Sequence, residues 1–154
     1  MKNLHHKRGW YYPQELWFSK AYQSLSPKAR ELLYCMFNEL RWNGRGNKKR
    51  YTNNGDISFT ESQFNGIYGT CSSTYLKARN QLIEVGFIRQ ISRGGMCRGD
   101  RATYKIIVCT MLPINQERWR NYPEKNWKDE IPRPKKQMVG VETQWKKGES
   151  GRKS

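Results

Sequence analysis

Ser73, Lys77 and Asn80 follow one another at steps of four and three residues, a spacing that stacks them on one side of an α-helix. Their chemistry suits reading a polar edge. A lysine ammonium fits a phosphate oxygen or a guanine edge, and an asparagine amide can donate and accept at once, as an adenine edge requires. Ser72 and Ser73 are short enough for close approach, and Thr74 completes a hydroxyl-bearing first turn whose backbone amides are free to meet a phosphate. The plainer reading is a solvated polar face, which any amphipathic helix has.

Two further groups bring cations. Arg93, Arg98 and Arg101 stand among Gly94, Gly95 and Gly99, a run that predicts a long hairpin tip. Arginines there can lie over a phosphate backbone or enter a minor groove, or they can simply discourage edge pairing of strands. Arg45, Lys48, Lys49 and Arg50 fill a Gly/Asn-rich loop without an acidic neighbour, and they read equally well as phosphate contacts or as a solvated loop. The whole chain of 154 residues carries 29 Lys/Arg against 13 Asp/Glu, a net +16. The excess is 18 against 7 through residue 112 and 11 against 6 beyond it. Such a chain associates with polyanions, nucleic acid before anionic membrane.

Other chemistry finds little support. Cys35, Cys71, Cys97 and Cys109 are scattered, without a C-x-x-C pair or zinc-finger spacing, so free thiols and no metal or cofactor are expected. Zinc held by some of these thiols with His5 or His6 is the minor alternative. No nucleophile, paired-carboxylate or phosphate-loop pattern stands out, and no enzymatic activity is expected. No stretch reaches the roughly 18 apolar residues of a membrane span, and Met1 to Tyr12 lacks an apolar signal core. A cytoplasmic protein, associated with the nucleoid through DNA, is the expectation.

The elements that must position these residues follow from caps and periodicity. Ser26-Pro27 opens a helix running to about Trp42, with Ala29, Leu32, Leu33, Met36, Phe37 and Leu40 in one apolar stripe and Cys35 outside it. Leu16, Trp17, Phe18 and Tyr22 predict short helical pieces packed on the same core. Asn43 to Gly55 reads as a loop and Ile57-Ser58-Phe59 as a short strand. Thr60-Glu61-Ser62-Gln63 fits a capping box for a helix that turns Phe64 and Ile67 inward and stops at Gly69. A second helix should run from near Ser72 to before Gly86, with Tyr75, Ala78 and Leu82 inward and Leu76 and Gln81 flanking the polar side. Phe87 to Ser92 and Ala102 to Val108 are strand-like. The expected division is an arm at 1–12, one domain at 13–112, and at 113–154 a basic, extended or disordered tail. Trp119, Trp127 and Trp145 there predict an arm that meets nucleic acid or a protein partner, stacks single-stranded bases, or docks Trp119 or Trp127 on the domain.

Residues 25 to 108 resemble the winged helix-turn-helix domains of bacterial and phage transcription regulators and of plasmid or phage replication initiators. The likeness rests on Leu25-Ser26-Pro27-Lys28-Ala29-Arg30, on Gly69-Thr70-Cys71-Ser72-Ser73-Thr74, and on Leu82-Ile83-Glu84-Val85-Gly86-Phe87-Ile88, where such a recognition helix enters its wing. It implies an α+β fold, a three-helix core with a small antiparallel β-wing, followed here by an irregular tail. It also implies duplex-DNA binding by a sequence-specific regulator of a phage, plasmid or mobile element, with a replication initiator as the nearest variant. Outside that class stand a non-specific single-strand or RNA binder and a protein adaptor. Many such domains pair as homodimers on two half-sites, although no heptad marks a dimer surface here. Two residues depart from the pattern. Arg79 stands at a core-side position, where it must snorkel or find Glu31 or Glu39, and Cys71 stands where Ser or Thr usually caps the second helix, leaving that cap to Thr70 or Ser72.

Overall fold

A computed structural model describes residues 14–43, 50–95, 98–108, 117–124 and 134. Among them the chain is α+β, with five α-helices and two small two-stranded antiparallel sheets. The helices are α1 (Gln14–Phe18), α2 (Lys20–Gln23), α3 (Pro27–Asn38), α4 (Glu61–Tyr68) and α5 (Ser72–Val85). Strands β1 (Trp42–Asn43) and β2 (Arg50–Tyr51) form one sheet; β3 (Ile88–Ser92) and β4 (Thr103–Ile106) form the other. A 3-10 turn at Arg118–Asn121 comes last.

Local signals start and stop these helices. The Ser26 hydroxyl accepts from the Ala29 amide and Pro27 occupies the first turn of α3. At α4 the Thr60–Gln63 capping box closes from both sides. Gly69 and Gly86 then end α4 and α5 in the left-handed region, with φ of 60° and 89°.

α3 packs on α5, and α4 on α5, through Leu32, Leu33, Met36, Phe37, Phe64, Tyr75, Ala78 and Leu82, all buried. The Ser26 amide donates to Gln81 of α5 at 3.1 Å, so Gln81 is engaged with α3. Buried in the same place, Tyr75 donates its hydroxyl to the Phe59 carbonyl at 2.7 Å, which joins α5 to the segment before α4. The hairpin pairs Ile88 with Ile106 and Gln90 with Tyr104 toward the core, and Arg89 with Lys105 on the outer face. Ile57 adds a single antiparallel bridge to Tyr104, and Asn54 grips Ile106, accepting from its amide at 2.8 Å and donating to its carbonyl at 2.9 Å. The strand expected at 57–59 is thus one bridge, although Ile57 and Phe59 are buried.

Several expectations are corrected by packing. α3 ends at Asn38 instead of near Trp42; Trp42 lies in β1, paired with Tyr51 ring to ring at 4.9 Å, and β2 falls inside the 43–55 stretch expected to be loop. Ile67 is 63% exposed instead of inward, because the short α4 meets the core through Phe64, with Tyr68 beside it. Phe18 stays largely outside and Trp17 stands edge-on to Tyr22 at the surface, while Leu16 and Tyr22 are buried. Cys35, outside the α3 stripe, is half covered by Tyr68 of α4, its sulfur 3.7 Å from the phenol oxygen.

Of the readings open for the tail, the structure bears on Trp119. Trp119 is 2% exposed, edge-on to Phe87 with ring centroids 5.9 Å apart, while Arg118 donates to the Glu84 carbonyl at 3.2 Å. Docking is the outcome for Trp119, and core packing continues past residue 113. The arm 1–12 and nearly all of 125–154, with Trp127 and Trp145, lie outside the described residues.

Trp119→Ala should therefore cost about 3–5 kcal/mol, the range for emptying a buried aromatic site. In urea unfolding, cutting the chain at Pro113 should lower the midpoint at least as far as Trp119→Ala does. An unchanged midpoint in Trp119→Ala would show that Trp119 is not part of the core.

Candidate nucleic-acid interface

α5 runs for 14 residues and buries Tyr75, Ala78, Leu82 and Val85 along one side. Opposite them Ser73, Lys77 and Asn80 are exposed, with Leu76 beside them at 40% exposure. Lys77 makes no ion pair with a described residue. Asn80 is less free than its spacing suggests. Its side-chain oxygen accepts from Arg79, at 3.3 Å from Nε and 3.1 Å from Nη2.

Arg79 thus takes neither Glu31 nor Glu39. It sits half-exposed on the rim between the buried and polar sides of α5, and Glu31 pairs with Lys28 at 2.7 Å. The packing angle of α5 is undisturbed by a buried charge. An adenine edge at Asn80 would have to displace the guanidinium from the amide oxygen or include it. Arg79 is a candidate contact that a two-sided wheel hides, because a rim position looks core-facing until the neighbouring helix is placed.

The start of α5 also differs from expectation. Cys71 is the N-cap residue, and neither its thiol nor the hydroxyl of Thr70 or Ser72 caps the helix. Thr70 donates to Asn65 at 2.8 Å and Ser72 donates to the Glu61 carboxylate, so both tie α5 to α4. The Cys71 sulfur lies 3.1 Å from the Ser73 hydroxyl and 3.4 Å from that of Thr74. Those hydroxyls, Ser73 first, hold the exposed thiol down to about 6, and a helix N-terminus favours the thiolate further. This places a thiol whose ionised form is favoured at the spot where a phosphate was expected. Ser73 and Thr74 serve the sulfur, and the phosphate reading moves one turn along, to Lys77.

In the hairpin, Arg93, Arg98 and Arg101 are all exposed. A Cβ built on Gly94 would collide with the Arg101–Ala102 backbone, so the tip needs glycine there for the strands to close. Of the loop cations, Arg45, Lys48 and Lys49 lie outside the described residues, as does the side chain of Arg50; its backbone pairs with Asn43. Sequence reasoning missed the outward cations Arg89 and Lys105 and the half-buried Arg118, all on regular elements. Alternation along the strands was the available signal for the first two.

Among the described residues no group of three or more His, Cys, Asp or Glu could hold a metal ion, and no helix is long and apolar enough to cross a membrane. His5, His6, Cys97 and Cys109 lie outside them.

The two described thiols should behave oppositely, since burial raises Cys35 while Cys71 is lowered. Peptide-mapped alkylation with iodoacetamide should label Cys71 first at pH 7, with a rate that levels off above about pH 7, while Cys35 keeps accelerating as pH rises. Because the folded-state value of Cys71 lies below its ordinary 9.0, its contribution to stability is full above pH 9 and is lost as pH falls through about 6. Cys71→Ser should remove that part of the pH dependence of the urea midpoint. No protein-family model, no curated protein and no solved structure matches this chain.

Proposed function

We propose that this chain binds duplex DNA as a winged helix-turn-helix protein, with α4 and α5 as the helix pair and the β3–β4 hairpin as the wing. The observation that carries the reading is α5 itself. It is a buried-backed helix with an exposed Ser73–Lys77–Asn80 face, and it passes through Gly86 directly into a hairpin bearing three exposed arginines. A helix with one solvent face fits a major groove, and arginines on a hairpin can hold the backbone beside it. In this reading Lys77 and Asn80, with Arg79 at the rim, choose the sequence. The hairpin arginines and the net +16 supply sequence-independent affinity. The role proposed is regulation of transcription in a phage, plasmid or mobile element. An initiator of replication would use the same interface on repeated sites.

The burial of Trp119 weakens the single-strand alternative, because a ring at 2% exposure offers no face for a base. That alternative then rests on Trp127, Trp145 and the 45–50 loop.

Selection from random duplex DNA at moderate salt should enrich a defined motif, and recovery no better than bulk DNA would sink the regulator reading. Lys77→Ala and Asn80→Ala should flatten the motif preference. Arg98→Ala should weaken all sequences alike and reduce the salt slope of the affinity by about 0.9, the value per phosphate neutralised. An unchanged slope would remove the hairpin tip from the interface.

A further inference from the structure

Where α5 ends and the hairpin begins, the outer face holds a cleft of about 430 Å³ that the DNA reading does not use. Its apolar walls are Ile83 and Ile107, with the buried Ile88 beneath them; its charged groups are Arg89, Lys105 and Arg118, and among the described residues no carboxylate lines it. Arg89 and Lys105 stand directly opposite each other across the antiparallel ladder, and neither has an ion pair among the described residues. Like charges in that position destabilise a hairpin unless an anion sits between them. Arg118 is anchored beside them by its bond to the Glu84 carbonyl at the C-terminal end of α5.

We propose that this cleft binds a small organic anion, with an aliphatic or aromatic body on the three isoleucines and a carboxylate between Arg89 and Lys105. The volume falls in the range of roughly 300–1,000 Å³ common for small-molecule sites, and the mixture of apolar wall and convergent cations is the usual composition of a site for such a ligand. An arginine fork and an ammonium together can satisfy both oxygens of one carboxylate. A nucleic-acid phosphate would meet the cations but bring no apolar group for the isoleucines. The cleft spans the joint between helix and hairpin, so a bound ligand would brace that joint. The inference stands independently of DNA binding.

The test is a titration of the full-length chain, labelled at isoleucine methyls, with octanoate, and with octanamide and inorganic phosphate as controls. Octanoate should shift the methyls of Ile83, Ile88 and Ile107 saturably and leave Ile67 unmoved. Octanamide should bind about tenfold more weakly or worse, as expected for loss of charge-assisted hydrogen bonds. The double variant Arg89→Gln/Lys105→Gln should lose octanoate affinity to a similar degree while melting no lower than the unaltered chain, because it also removes the cross-strand repulsion. Equal affinity for octanamide, or saturation of the same shifts by phosphate alone, would overturn the proposal. It would equally fail if the double variant bound octanoate undiminished, or if the three methyls did not respond because another part of the chain fills the cleft. A short DNA duplex that shifts these methyls and excludes octanoate would assign the cleft to the phosphate backbone instead.

Discussion

The left-handed turn at Gly86 sets the direction in which the hairpin leaves α5, and most of the molecule is arranged around it. With φ at 89°, residue 86 lets the chain reverse tightly enough for Phe87 to enter the core directly below the helix end. A Cβ there would press on the side chain of Arg118 and the amide of Trp119, both about 3.1 Å away. The turn is thus held from within by backbone geometry and from outside by the later segment that closes over it. Phe87 lies between Tyr22 on one side and Trp119 on the other, which links the first helices, the end of α5 and the 3-10 turn through one ring. An aromatic cluster of this kind contributes beyond its buried area, because edge-on rings match opposite parts of their quadrupoles.

From that joint, the charge on the surface divides by element. α5 offers a few polar side chains on a rigid helix, where position is well defined. The hairpin tip offers guanidinium groups on long side chains around positive-φ glycines, where reach matters more than precise placement. Nearer the joint lies a third set, the outer cations of β3, β4 and the 3-10 turn, gathered beside isoleucines. In the proposed readings the first set selects a sequence, the second attracts the backbone and the third takes a smaller ligand, although all three contribute to one net charge.

What could be read in the chain was mostly what is decided within four residues. Ser26-Pro27, the Thr60–Gln63 box, Gly69 and Gly86 each act on their own turn of backbone, and each sits where its local chemistry placed it. The inward set of α5 was readable as well, because helical period alone selects Tyr75, Ala78 and Leu82. Errors arose where a residue's fate depends on distant partners. Ile67 follows the helical period, yet among the described residues α4 has no neighbour that covers it. Trp119 admits several readings in the sequence, and only its place beside Phe87 selects docking on the domain among them. Arg79 looks core-directed until α3 is in place, and its bond to Asn80 joins adjacent residues in a way no spacing rule anticipates. The candidate site was accordingly legible as a list of exposed residues, but not as a pattern of which hydrogen-bonding groups are already engaged.

The grip of Asn54 on Ile106 bears on how this protein avoids sticking to its own copies. Its amide copies the donor and acceptor of a strand at the outer side of β4, and the Ile57 bridge extends that cover to Tyr104. β4 consequently has little backbone left to offer another chain. β3 is guarded differently: the ladder is irregular between Gln90 and Ser92, and the charged Arg89 stands beside the exposed Ile91. A borrowed side-chain amide protects one edge of the hairpin, and a bulge with a cation protects the other, so a two-stranded sheet that would otherwise invite stacking into longer ribbons stays a discrete arm.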